Sequence, residues 1–499
     1  MPTSRHTPAR LPAGRLSRSL VRARLRPALL IAAALCLAPQ AFAQMDAATA
    51  AAWRATSRLG YGPTAASAQA AQPDAKAWAL SQIDAAYAAS QRPASIAPEL
   101  ARFNQPLADT VRDVKAEREA RKTAKDLTPA SPAAAGVTTA TATEALGFSR
   151  EMQQTASAWR LAACSDPGVE NPMLARMTEF WFNHLNVFTG KGSVRPFVGN
   201  YVVNVIRANA LGKFEDLLLA SARHPAMLLY LDQAQSNVRG INENYARELM
   251  ELHTLGEGAG YTQNDVHELA RILTGWTLGL PQGEGFRFAP RLHDNADKLL
   301  LGRTFHADGI REGENAIRML ARQPATARRI AQRLATTFVA DKPTSALVDR
   351  LASTFSRTQG DIRAVMQVLV ESPEFWQPGN TLFKTPLDFA CSALTAGGGV
   401  KDRRDVALTL GFLAQAGQPL HGWQTPDGYK TDAATWLAPE ALTRRADYAL
   451  ALAKNNLDRG PEPTYLQAFL SPSTRERIAR EAPAARTGLL LASPDFMTK

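Results

Sequence analysis

Two histidines and the carboxylates near them in sequence are the residues whose types and spacing could do chemistry. His253 lies in the stretch NENYARELMELHTLG (Asn242–Gly256), and His184 lies in MTEFWFNHLNVF (Met177–Phe188). At about 100° per residue, Tyr245, Leu249 and Leu252 share one side of a helix over Asn244–Leu255, and Ala246 and Met250 widen that arc until it takes in His253. In the other stretch Phe180, Trp181, Val187 and Phe188 surround His184, while Glu179, Asn183 and Asn186 take the polar side. Both imidazoles therefore face inward, where an unsatisfied ring nitrogen is costly and a partner is required. One account makes each a neutral histidine bonded to a main-chain carbonyl. The other brings them to Glu243, Glu248 or Glu251 at the floor of a pocket, as acid/base partners or metal ligands.

On the second account the expected catalytic groups are His184, Glu248 and Glu243. Glu248 stands at the border of the polar and apolar arcs, where desolvation raises a carboxyl pKa. Asp232, Asn242 and Asn244 form the expected substrate rim, although turn formation explains such residues as well. Trp423 and Tyr429, in a loop rich in Pro, Gly and Trp, are placed to stack on a sugar ring or to pin that loop to the core. No HExxH or ExxH spacing marks a metal, and no motif names a cofactor. His293 with Asp294 and Asp297 is a separate cation candidate, at a turn whose backbone alone accounts for the aspartates. A P-loop and a GxSxG elbow are both absent from the sequence.

The elements that must position these groups are helices. Arg247 lies four residues from both Glu243 and Glu251, the spacing of surface ion pairs. Thr262 and Asp265 predict a capping box ahead of a helix that buries Val266, Leu269, Ala270 and Leu273 and leaves His267 and Arg271 on its polar side. His224 before Pro225 marks another helix start. Alternation of Phe286, Phe288 and Leu292 ahead of Asp294–Asp297 predicts a β-hairpin. The fold class is mainly α: a large multi-helix globular domain with a small β-hairpin insertion. Its expected divisions are a signal peptide (1–43), an N-terminal helical segment (44–125) in which the charged run Arg112–Lys125 is a solvated helix, a Pro/Ala/Thr-rich linker or mobile loop (126–146), and the main helical domain (147–499).

An arginine-rich start, an apolar run over Ala28–Ala38 and Ala41-Phe42-Ala43 before Gln44 have the pattern of a secretory signal, which predicts a periplasmic or secreted protein. The run is too short to span a bilayer comfortably, so no transmembrane helix is expected after cleavage. The formal net charge is +11, but seven arginines and no acidic residue precede the expected cleavage point. The remaining +4 is spread without a basic stripe, which argues against a nucleic-acid partner. Of the 3 cysteines, Cys164 and Cys391 remain, either as a disulfide or as two small buried residues that never meet.

Several stretches together, RLGYGPT, FWFNHL, YLDQAQS, NENYARELMELHTLG, YTQNDVHELARILTGW, HDNADKLLLG, LGFLAQAGQPLHGW and PDGY, resemble the domain of unknown function 1800 family of exported bacterial proteins. The resemblance covers most of the chain after the signal. It implies a mostly helical exported protein, often encoded beside an exported sulfatase-like partner, and it implies no catalytic residue. The family tolerates an aromatic residue at the position of His253, and Phe182 stands where a second histidine often precedes Asn183-His184; both keep His184 ahead of His253. Two functions follow as expectations. One is an envelope hydrolase acting on a polymer or glycan through a His/Glu pocket; the other is a noncatalytic binding or assembly protein that works with the sulfatase-like partner.

Overall fold

The computed structural model describes residues 45–126, 140–279, 285–456 and 463–499. The expected signal peptide (1–43) and most of the expected linker (126–146) lie outside the described residues. Helices dominate, and the strands among the described residues form two antiparallel pairs. The mainly α fold with a small hairpin is therefore what the chain adopts.

Two hydrophobic clusters organise the helices. The larger runs from Ala55 and Ile83 through Trp181, Tyr201, Phe214 and Trp276 to Phe338 and Val365. The second gathers Trp53 and Leu161 with Phe389, Phe412, Tyr448 and Phe496. The helix Ala47–Arg58 thus contributes Trp53 to one cluster and Ala55 to the other. A small third cluster holds Tyr61, Ala175 and the disulfide Cys164–Cys391, which links the helices Ala140–Ser165 and Pro386–Ala396 across 227 residues of chain. Of the two readings of the cysteines, the covalent one is the structure's.

Local rules explain the helix starts near the site. Asn171 caps the helix Pro172–His184 by accepting from the Met173 and Leu174 amides, and Pro172 supplies a preset φ at the first turn. Thr262 and Asp265 form the expected capping box on Gln263–Ile272, and His224 caps Pro225–Tyr230. Arg247 reaches both Glu243 and Glu251 as the spacing requires.

Three local expectations are corrected. The helix expected over Asn244–Leu255 is α-helical only to Glu248; Leu249–His253 form a π turn, which Thr254 Oγ1 helps to close by donating to the Leu249 carbonyl at 2.6 Å. A wider turn takes in an extra residue, which a uniform 100° wheel cannot register. The hairpin pairs Lys298–Leu300 with Arg303–Phe305 and turns at Leu301-Gly302, both with positive φ, rather than at Asp294–Asp297. The first expected strand instead supplies Arg287–Phe288 to a pair with Trp276–Thr277. Finally, the charged helix Leu107–Asp126 is not solvated all round: Val111 and Val114 pack on the core, and buried Glu117 accepts from the Ser149 hydroxyl.

Candidate functional site

His184, the last residue of its helix, is buried, and its Nε2 lies 3.1 Å from the His253 carbonyl. Trp181 meets its ring edge-on at 5.6 Å between centroids, and Phe214 lies at 6.1 Å. The two imidazoles approach each other, with centroids 6.3 Å apart, and each retains a buried ring nitrogen, His184 Nδ1 and His253 Nε2, with no hydrogen-bond partner among the described residues. Burial pushes the His184 pKa well below its ordinary value, with Arg333, His253 and Arg329 adding to the effect. Burial and the same two arginines push His253 down to about 3. Both rings are therefore neutral near neutral pH.

Glu248 is half-buried and makes no hydrogen bond to His184. Burial raises its carboxyl pKa, followed by the charge of Glu251, and Asp427 acts in the same direction. Glu243 belongs to a surface group, accepting from Gln263 at 2.6 Å, from Arg247 at 3.2 Å and meeting His267 Nδ1 at 2.9 Å. The structure thus joins His184 to His253 and does not bring His184, Glu248 and Glu243 together.

The expected rim is largely engaged in its own backbone. Asn242 accepts from the Asn244 amide, Asn244 donates to the Leu231 carbonyl, and Asp232, in a left-handed conformation, pairs with Lys191. At the cation candidate, His293 has Nδ1 2.8 Å from the Thr274 carbonyl and Nε2 2.9 Å from Glu312, Asp294 receives Arg271 and Asp297 pairs with His306. Each of the three is thus engaged by its own partners, and among the described residues no group of three or more His, Cys, Asp or Glu side chains could hold a metal ion.

A cavity of about 350 Å³ opens nearby, at the seam of the two large clusters, with Phe180 and Phe182 from one and Phe383 and Leu420 from the other in its wall. That volume falls in the range of small-molecule sites. Polar groups enter from several segments, among them Arg160, Arg176 with Glu179, Arg333, Asp388, Lys499, and the loop residues His421, Asp427 and Tyr429. Arg160 is held by both oxygens of Glu179, lies over the Phe182 ring at 4.5 Å, and approaches His421 Nδ1 at 3.0 Å. Burial and Arg160 hold the His421 pKa well below its usual value. Asp388 takes the Arg176 guanidinium and the Lys499 ammonium.

The loop over this cavity is fastened by the helix end that carries His184. The Asn183 amide donates to the Tyr429 carbonyl at 2.8 Å, and its oxygen accepts from the Tyr429 N–H at 2.7 Å. Asn186 donates to the carbonyls of Trp423 and Thr425, at 3.1 and 2.9 Å. Gly428 has φ +74°, and a Cβ there would stand 2.0 Å from the Asn183 carbonyl oxygen, so only glycine fits. Tyr429 lines the cavity, with its hydroxyl given to the Pro419 carbonyl; Trp423 packs on Tyr429 at 4.7 Å and donates to Asp427.

Among the residues singled out from the sequence for chemistry, Tyr429 is the one in the cavity wall. Arg160, Arg176, Arg333, Asp388 and His421 were missed. His421 and Asp427-Gly428 fall within LHGW and PDGY, which signal a turn-rich loop; Arg333 sits in an ordinary amphipathic helix, and nothing local marks it.

These features define a mainly helical scaffold with a loop-covered, cation-lined cavity. A family model described as "Protein of unknown function (DUF1800)" matches residues 54–498, and the chain belongs to that family. No curated protein and no solved structure matches it.

Proposed function

We propose that the chain is an exported bacterial envelope protein that binds a segment of an exported polymer or glycan in the 350 Å³ cavity, as a binding or assembly protein beside a sulfatase-like partner. The observation that carries this reading is the pinned loop. Asn183, Asn186 and Gly428 fix residues 423–429 against the helix end, so the cavity is preformed and a ligand need not order it. Tyr429, Phe180 and Phe182 supply apolar walls, and the arginines supply polar ones. The two neutral histidines that would have served acid/base chemistry are packed against each other outside its lining, with the His184 ring bonded to the His253 carbonyl.

One observation favours the hydrolytic reading: Glu248, whose carboxyl pKa burial raises, is within electrostatic reach of Asp427 in the cavity wall. Titration of the mature protein with neutral and acidic envelope glycan fragments, followed by mass analysis of the recovered ligand, separates the two. Saturable binding, loss of binding on filling the cavity by Thr336→Trp, and intact ligand support binding. Ligand that the wild type cleaves and Glu248→Gln leaves intact would make it a hydrolase, and no saturable binding would remove the proposal.

A further inference from the structure

The cavity's cations are not equivalent. Arg160 is neutralised by Glu179, while Arg176 and Lys499 share Asp388. Arg333 lines the same cavity and makes no hydrogen bond or ion pair with its side chain among the described residues. Asp427 attracts it from beyond ion-pair distance, and the Asp427 Oδ1 already accepts from Trp423 Nε1 and Thr425 Oγ1. Behind Arg333, one helical turn away, stands Arg329, whose Nε donates to the Leu252 carbonyl. The neutral His184 and His253 are also within its electrostatic reach. Burial and Arg329 lower the Arg333 pKa only to about 10, so the guanidinium keeps its charge at neutral pH.

A partly buried guanidinium with free donors, backed by a second cation and left unpaired, lacks an acceptor. Thr336, three residues on and on the same helix face, places a hydroxyl in the same wall, and Lys430 stands in the lining from the loop side. We propose that Arg333, with Thr336 and Lys430, binds an oxyanion substituent of the ligand, a sulfate, phosphate or carboxylate carried on a sugar-sized unit. This rests on the binding reading above and names the chemical class that the cavity selects.

The test is calorimetric titration of the full mature chain with one neutral disaccharide and its sulfated, phosphorylated and uronate forms. At least one charged form should bind tenfold or more tightly than the neutral parent, with affinity falling as salt rises. The best charged form identifies the source of the oxyanion. Arg333→Gln should abolish the preference, so that charged and neutral forms bind that variant alike, and Arg333→Lys should keep most of the preference. Should Arg333→Gln unfold, the salt dependence of the wild type and Arg333→Lys decide. Equal binding of charged and neutral forms, or a preference that survives Arg333→Gln, overturns the oxyanion site and leaves cavity binding standing. Failure of all four sugars to bind the wild type overturns the binding reading and this inference with it.

Discussion

Asn183 and Tyr429 are joined in both directions: the Asn183 side chain donates to the Tyr429 carbonyl at 2.8 Å and accepts from its N–H at 2.7 Å, across 246 residues of sequence. A single amide thereby acts as a strand edge for a loop that has no strand. It also stands beside His184, so the helix end long marked by its histidine acts through the asparagine before it. Truncating it by Asn183→Ala leaves two main-chain groups without partners and should cost about 1–3 kcal/mol. Hydrogen exchange should show faster exchange over 423–431 than in wild type, with little change elsewhere.

Gly428→Ala probes the same junction from the other side. The added methyl would overlap the Asn183 carbonyl, and the left-handed backbone adds strain, so the loop must shift rather than the side chain turn away. Ligand affinity should fall by an order of magnitude or more, and a crystal structure of the variant should show the Asn183–Tyr429 pair broken. Unchanged affinity would mean that the loop does not shape the site.

The disulfide closes a long segment of chain, and its two helices carry Arg160 and Asp388 within a turn of the cysteines. Cys164→Ser with Cys391→Ser should lower unfolding free energy by about 2–5 kcal/mol, measured by denaturant titration. Adding reductant to the wild type should reproduce the loss, and should change nothing in the double variant.

The buried histidines set a pH dependence. The folded state holds His253 neutral down to about 3, while an unfolded histidine gains its proton near 6.5, so the unfolded state binds more protons between those values. Stability is retained above about 6.5 and lost as pH falls through that window, by about 1.4 kcal/mol per pH unit for one such group. His253→Phe should flatten the acid limb of a urea-midpoint against pH plot by one proton's worth. An unchanged slope would show that His253 is already charged in the fold.

Lys384 gives the opposite end of the scale. Its ammonium is buried over the Phe496 ring at 4.1 Å with no hydrogen-bond partner among the described residues, and burial lowers its pKa to about 7. Between pH 7 and its unfolded value near 10.5 the unfolded chain holds a proton that the folded chain lacks, so stability rises with pH over that window. Lys384→Met should therefore be more stable than wild type at pH 7, by roughly a few kcal/mol. The advantage should shrink by pH 10.

Sequence alone determined what is local. Periodicity placed His184 and His253 in the core, spacing gave the Arg247 ion pairs, and Thr262 with Asp265 gave the cap, because each depends on residues within one or two turns. It also marked the 417–431 loop and its aromatics as a feature of interest. Tertiary structure decided the partners: which acceptor His184 would find, that Cys164 would meet Cys391, and that Arg333 would line a cavity with no carboxylate of the described residues within ion-pair distance of it. Those outcomes depend on distances between segments separated by tens to hundreds of residues. Side-chain periodicity carries the direction in which a residue points, and only packing fixes what stands opposite it.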